Sequence, residues 1–224
     1  MLRIVIALAV IIGGTAFCCA QDKVPLETDI PEEILIGTPP DVLAMLFPGL
    51  EKPPVGKRAA FLVPRGTTNL ARKKPVTSSE KEPVLGNLAM VTDGNKEGAE
   101  KNYLELGPGV QWIQIDLGDP ANIYAVYLWH FFREARSYHD VIVRVADDAA
   151  FTKNVQTVYS NDQDNSAGLG LGKARPYIET NLGHLIDAGE VAGRYVRLYS
   201  NGSTANNMNH YVEVEVFGKP ASDP

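Results

Sequence analysis

The 224-residue chain predicts an all-β sandwich built of short strands. Three observations carry that expectation. Apolar residues alternate with polar ones in short runs, those runs are punctuated by Gly, Asn, Asp and Pro, and no segment after residue 67 keeps a helical period beyond about two turns. Strands joined by loops of varied length, without long helices between them, favour two packed sheets over a βαβ fold.

The first twenty residues stand apart. Met1-Leu2-Arg3 is a short basic start, Ile4 to Ile12 is an apolar run, and Cys18-Cys19-Ala20 followed by Gln21 fits a signal-peptidase site. Export after cleavage at Ala20 is the expectation for residues 1–20. A retained anchor is the alternative, although the run is shorter than the ~20 apolar residues that span a bilayer. A lipid-modified Cys18 or Cys19 is a third option, poorly served by bulky Phe17. Residues 21–66 form a Pro-rich leader holding eight of the fifteen prolines. Proline fixes φ and removes a donor, so this stretch is predicted extended and irregular. One exception is Pro40–Leu46, where Asp41 is placed to cap a turn carrying Val42, Leu43, Met45 and Leu46. Apolar residues including Ile34, Leu35, Ile36, Leu43 and Leu50 suggest that parts of the leader lie on the following domain; a bare linker is the alternative.

The sandwich is assigned to residues 67–219, with a tail at 220–224. Val110–Leu117 reads as a strand entered through a bulge or turn near Gly107-Pro108-Gly109. Ile123–Trp129 is apolar throughout and fits a buried strand. Val141, Val143 and Val145 alternate with Ile142 and Arg144, and Tyr195–Tyr199 ends in a Ser200-Asn201-Gly202 turn. Tyr211–Phe217 places valines on one face and Glu213 and Glu215 on the other.

Composition narrows the function. Charged residues total 21 basic and 27 acidic, a net charge of −6, or −7 if Arg3 departs with the signal peptide. Without a basic run, nucleic acid and anionic membrane are unfavourable partners, and no membrane span is expected in the mature chain. The only cysteines are Cys18 and Cys19, so the body has neither a disulfide framework nor a Cys-ligated zinc site. The four histidines are scattered, and neither H-E-x-x-H nor G-x-S-x-G occurs; the chain is not expected to be an enzyme. A spatial carboxylate pair for glycoside hydrolysis stays open, because such residues meet only in the fold.

Five segments in order resemble a known family. Asn69-Leu70-Ala71-Arg72-Lys73-Lys74-Pro75-Val76-Thr77-Ser78-Ser79 is similar to the opening of discoidin-type (coagulation-factor type C, galactose-binding-like) domains. Thr92-Asp93-Gly94-Asn95 is similar to their acidic turn, and Trp112-Ile113-Gln114-Ile115-Asp116-Leu117-Gly118 to a characteristic strand. Tyr195-Val196-Arg197-Leu198 and Val212-Glu213-Val214-Glu215-Val216-Phe217-Gly218 resemble the closing pair. The resemblance spans about residues 67–219 and implies a jelly-roll β-sandwich. It further implies a non-catalytic binding module, most often for carbohydrate in bacterial secreted proteins, and so a periplasmic, extracellular or envelope-associated location.

Two candidate sites follow. The Asp93-Gly94-Asn95 turn offers carboxylate and carbonyl oxygens at the short spacing that Ca²⁺ takes. The resemblance completes this calcium site with Glu213, and places Gly98 where the family usually has a hydroxyl residue. An ordinary turn beside two solvated glutamates is the alternative. The second site is the stretch Trp129–Asp140 between two strands. Sugars need flat apolar faces and planar hydrogen-bonding groups. The resemblance makes His130 the sugar ligand; the family's later Arg is absent from Tyr159–Asn165, leaving Arg133 or Arg136 to replace it. Tyr138 and Asn206 complete the expected glycan site, and packing of Trp129, Phe131 and Tyr138 in the core is the competing expectation. The rival function is a protein-protein or cell-envelope interaction module that binds no sugar. Burial of the loop aromatics would favour that rival.

The Asn161–Gly172 loop is polar and then Gly-rich, without the strand and helix that a phosphate cradle needs.

Overall fold

Alternation along the chain gives one seven-stranded antiparallel sheet around a shared core, with two two-stranded ladders beside it. The computed structural model describes residues 22–33, 36–37, 39–47, 49–51, 59–99 and 101–221. The predicted signal peptide with Cys18 and Cys19, Ile34 and Leu35 of the leader, and residues 222–224 of the tail lie outside the described residues. In order, the elements are β1 (Lys23–Pro25), α1 (Pro40–Leu46), β2 (Leu62–Pro64), β3 (Thr68–Asn69), β4 (Val76–Ser78) and β5 (Leu104–Leu106). They continue with β6 (Gln111–Trp129), β7 (Ile142–Ala146), β8 (Gln156–Ser160), β9 (His184–Ser200), β10 (Asn209–Tyr211) and β11 (Glu213–Pro220). A 3-10 turn covers Leu88–Thr92.

The main sheet runs β3-β11-β6-β9-β7-β8, with β4 also on β6, and all its pairings are antiparallel. Val110–Leu117 and Ile123–Trp129, read as two strands, are one 19-residue strand. Its register against β9 shifts between Asp116 and Ala121 and again between Ile123 and Ala125. A bend at 108–110, with Gly109 at φ +87, leads into the strand at the predicted entry, and the two register shifts add irregularities within it. Bulges bend a strand and raise its twist, so one half of β6 pairs with β4 and the other with β11.

The interior holds Ile113, Ile115, Ile123, Val126, Leu128, Val143, Val145, Val196, Leu198, Val214 and Val216. Side chains alternate across a strand, so Ala125, Tyr127 and Trp129 point to the outer face of β6, where Phe217 joins them. An apolar outer face needs a cover, and the leader supplies it with Leu26 and Phe61.

The leader forms a belt. Its neck is β1 against β2, pairing Val24 with Val63. From there Leu26 N donates to Phe61 O, Asn181 Nδ2 donates to Pro31 O, Ile36 N to Arg133 O and Glu51 N to Pro176 O. Helix α1 rests on the body through Leu43, which clusters with Leu50 and Ile178. Asp41 does not cap it. The N-cap is Pro39 without a side-chain bond, Pro40 opens the helix, and Asp41 lies in the first turn, where its charge favours the helix dipole. Among the described residues, no helix is long and apolar enough to cross a membrane.

Candidate functional site

The acidic turn and the closing strand meet. Gly94 N donates to Glu213 Oε2 at 3.0 Å. Glu213 is fully buried and its Oε1 is without a hydrogen-bond partner. Burial, reinforced by the charges of Asp93 and Glu215 and opposed by the Gly94 amide and Lys96, pushes its carboxyl up to about 8. Asp93 Oδ1 accepts from Asn95 N at 2.7 Å, and Asn95 Oδ1 accepts from Glu97 N at 3.0 Å. Gly94 has φ +86, and a Cβ there would fall on the Arg72 guanidinium. Gly98 also has positive φ, +56, and a Cβ would press Phe132 at 3.3 Å; a hydroxyl residue at 98 would be strained and crowded.

Glu213 and Glu215 are not two solvated glutamates. Glu215 Oε1 is 2.8 Å from Lys96 Nζ, and both side chains are buried. Thr28 of the belt donates to Glu215 Oε2 at 2.6 Å, and Lys96 Nζ donates to Asp29 O at 2.9 Å while lying over the Trp129 ring. A buried carboxylate oxygen without a partner, next to a turn of hard oxygen donors, fits a calcium ion. Glu213, Asp93, Asn95 and a carbonyl of the turn would hold it.

The rim departs from its expected form. Of the residues expected to form the glycan site, His130, Arg136 and Tyr138 are 0%, 3% and 1% exposed, which for Tyr138 is the competing expectation of core packing. The reason is cover from the 175–182 segment. Glu179, itself buried, places Oε1 2.7 Å from His130 Nδ1. Glu179 N bonds Arg136 O, and Tyr177 stacks on His184 at 3.7 Å. His130 stacks on Tyr138, whose OH is 2.8 Å from His210 Nδ1. Burial raises the Tyr138 phenol well above its usual value, so it stays protonated and donates. Burial, with the nearby Arg136 and His130, lowers His210 to about 3. His210 is therefore neutral at pH 7, and its Nε2 donates to Glu105 Oε2 at 3.1 Å. Arg136 is committed to Glu134 and lies over Phe131.

Arg133 and Asn206 remain at the surface. Arg133 is half-buried and Nε donates to Glu97 O. Asn206 closes a local turn, its Oδ1 accepting from Met208 N and its carbonyl from Ser203 N. Thr204 N bonds Ser137 O, so the two loops adjoin, yet the five residues form no common open surface.

An open feature lies elsewhere among the described residues. Between the belt and the outer sheet face lies a groove of about 980 Å³. Leu182, Leu185, Tyr127 and Phe217 line it from the sheet side, Leu26 and Phe61 from the belt, and Glu27, Asp29 and Glu215 add carboxylates. Tyr127 is stacked on Trp129 at 5.0 Å, which fixes its ring.

Sequence pattern did not single out Glu179, Lys96, Thr28 or this groove. The signal for the groove was present in Ile123–Trp129: a strand apolar on both faces requires cover on both. Asp140, Asp162 and Asp164 also bring carboxylate oxygens within 4.8 Å of one another. Ser166, Ala167 and Asn201 donate to the first two of them.

The described residues fold as a jelly-roll β-sandwich. A family 89 glycoside hydrolase from Clostridium perfringens, in complex with 2-acetamido-1,2-dideoxynojirmycin, superimposes with a TM-score of 0.51 at 16% identity. That match covers 68% of this chain and 15% of the hydrolase, so the chain spans only a small part of that protein. The CBM32 module of AlyQ, solved with 4,5-unsaturated mannuronic acid, gives 0.47 at 24% identity over 64% of this chain and 93% of its own. Chitosan-binding module 1 of a Paenibacillus sp. IK-5 chitosanase/glucanase gives 0.45 at 21% identity over 67% and 99%. No protein-family model and no curated protein matches the chain.

Proposed function

We propose that the chain is an exported, non-catalytic carbohydrate-binding module of the discoidin type, with calcium bracing the Asp93 turn. The observation that carries this reading is the groove over the outer sheet face. Its volume, about 980 Å³, suits an oligosaccharide segment. Its apolar floor faces the C–H surface of a sugar ring, while Thr28 and the carboxylates at its margin serve hydroxyls. The five ordered motifs support the family, and the N-terminal basic-apolar-small pattern supports export. The site is thereby moved from the His130 rim to the belt groove. Calcium at Glu213 would neutralise the clustered carboxylates and fix the turn that adjoins the belt.

A second reading, an interaction module of the same fold that binds no sugar, is favoured by the burial of His130 and Tyr138. Affinity electrophoresis of the purified protein through gels of neutral, acidic and amino polysaccharides separates the two. Retardation in at least one gel is expected. Free migration in all of them, with an intact circular-dichroism spectrum, leaves the interaction module standing.

A further inference from the structure

We infer that the groove selects glycans carrying free amines, oligomers of amino sugars, over N-acetylated or acidic ones. This rests on the carbohydrate-binding reading above and deepens it. The ground is charge complementarity around an apolar floor. Glu27, Asp29 and Glu215 line the groove, and none of its lining residues is Lys or Arg. The Lys96 ammonium answers Glu215 from beside the groove. Glu27 and Asp29 are exposed, and neither carboxylate has a basic partner among the described residues. From Pro25 to Glu51 the sequence contains Glu27, Asp29, Glu32, Glu33, Asp41 and Glu51 and no Lys or Arg, so this part of the belt adds negative potential beside the groove.

A pyranose seated against Leu26, Phe61, Leu182 and Leu185, the half-buried apolar residues of the groove, buries its C–H face and leaves its substituents at the groove margin. A protonated amine there gains a charge-assisted hydrogen bond to a carboxylate. An N-acetyl group replaces that cation with a neutral amide, and a uronate brings like charge. The sandwich supplies the floor and the belt supplies the selectivity.

Titration calorimetry of the full chain with glucosamine hexasaccharide, N-acetylglucosamine hexasaccharide and a hexalysine peptide tests this, at about pH 6 so that the amines are protonated. The glucosamine oligomer is expected to bind about tenfold or more tighter than its N-acetylated counterpart, with the gap shrinking in about 0.5 M NaCl. The Glu27→Gln/Asp29→Asn double variant is expected to lose about fivefold to tenfold in glucosamine affinity, as two exposed ion pairs predict. Equal binding of the two saccharides overturns the inference while leaving the module a sugar binder. Hexalysine binding as tightly as glucosamine overturns it too, because charge alone would then suffice. If neither saccharide binds and no polysaccharide gel retards the protein, the carbohydrate reading itself fails.

Discussion

The rim around His130 and the groove beneath the belt contain similar materials, aromatic rings beside polar and charged groups, and end in opposite states. At the rim, the 175–182 segment lies directly on the loop and shuts away His130 Nε2, Ser137 Oγ, Tyr177 OH and Glu179 Oε2 without hydrogen-bond partners. At the groove, Leu26 and Phe61 pack on the outer face while the belt beside them leaves about 980 Å³ open. Which surface a sandwich offers is decided by the segment laid over it and how closely that segment packs, more than by the composition of its loops.

Removing the cover is the strongest way to break the contrast. Deleting residues 22–61 takes Leu26 and Phe61 from the outer face and Leu43 and Leu50 from the Ile178 cluster. A loss of roughly 5 kcal/mol is expected from the apolar area re-exposed, read as a lower urea midpoint. An unchanged midpoint would make the belt dispensable and the groove incidental. At the rim, Glu179→Ala leaves His130 buried without its partner and is expected to cost about 3 kcal/mol. If stability is unaffected, the seal is not what holds the rim shut.

The calcium proposal sharpens the groove side. Calcium at about a hundred times its Kd adds about 2.7 kcal/mol, so chelator should lower Tm and calcium restore it. Glu213→Gln should abolish that response, and a chelator-insensitive wild type removes the site. Near neutral pH the smallest effect is the rim's pH dependence, which grows as the solution is acidified. His210 has its pKa lowered to about 3 from 6.5, so the folded state resists a proton that the unfolded chain accepts. Its stabilising contribution is complete above 6.5 and is lost as pH falls towards 3, at up to about 1.4 kcal/mol per pH unit. His210→Gln should flatten that part of the stability profile. A profile identical to wild type would show that His210 is not the group responsible.

Much of the fold was legible because strand periodicity is local. Val141–Val145 and Tyr195–Tyr199 are strands where alternation puts them, and the turn at Asp93 meets Glu213. The joining of Val110–Leu117 to Ile123–Trp129 was hidden, because Gly118-Asp119-Pro120 carries turn residues while the chain runs on through bulges. The rim was misread because loop position implies exposure only when no later segment returns. Nothing in residues 129–140 announces that Glu179, some fifty positions on, folds back over His130. Likewise, Leu26 and Phe61 reveal their role only against the outer row Ala125, Tyr127 and Trp129.

The neck of the belt also governs how the molecule answers a pull on its amino-terminal side. Three residue pairs join β1 to β2, backed by the exposed Asp22–Arg65 contact at 2.8 Å. Such an exposed contact resists little, and so short a ladder yields long before the long β6–β9 seam. Tension applied at residue 22 would therefore strip the belt first and leave the sandwich standing, a mechanical fuse at the point where the chain enters the fold.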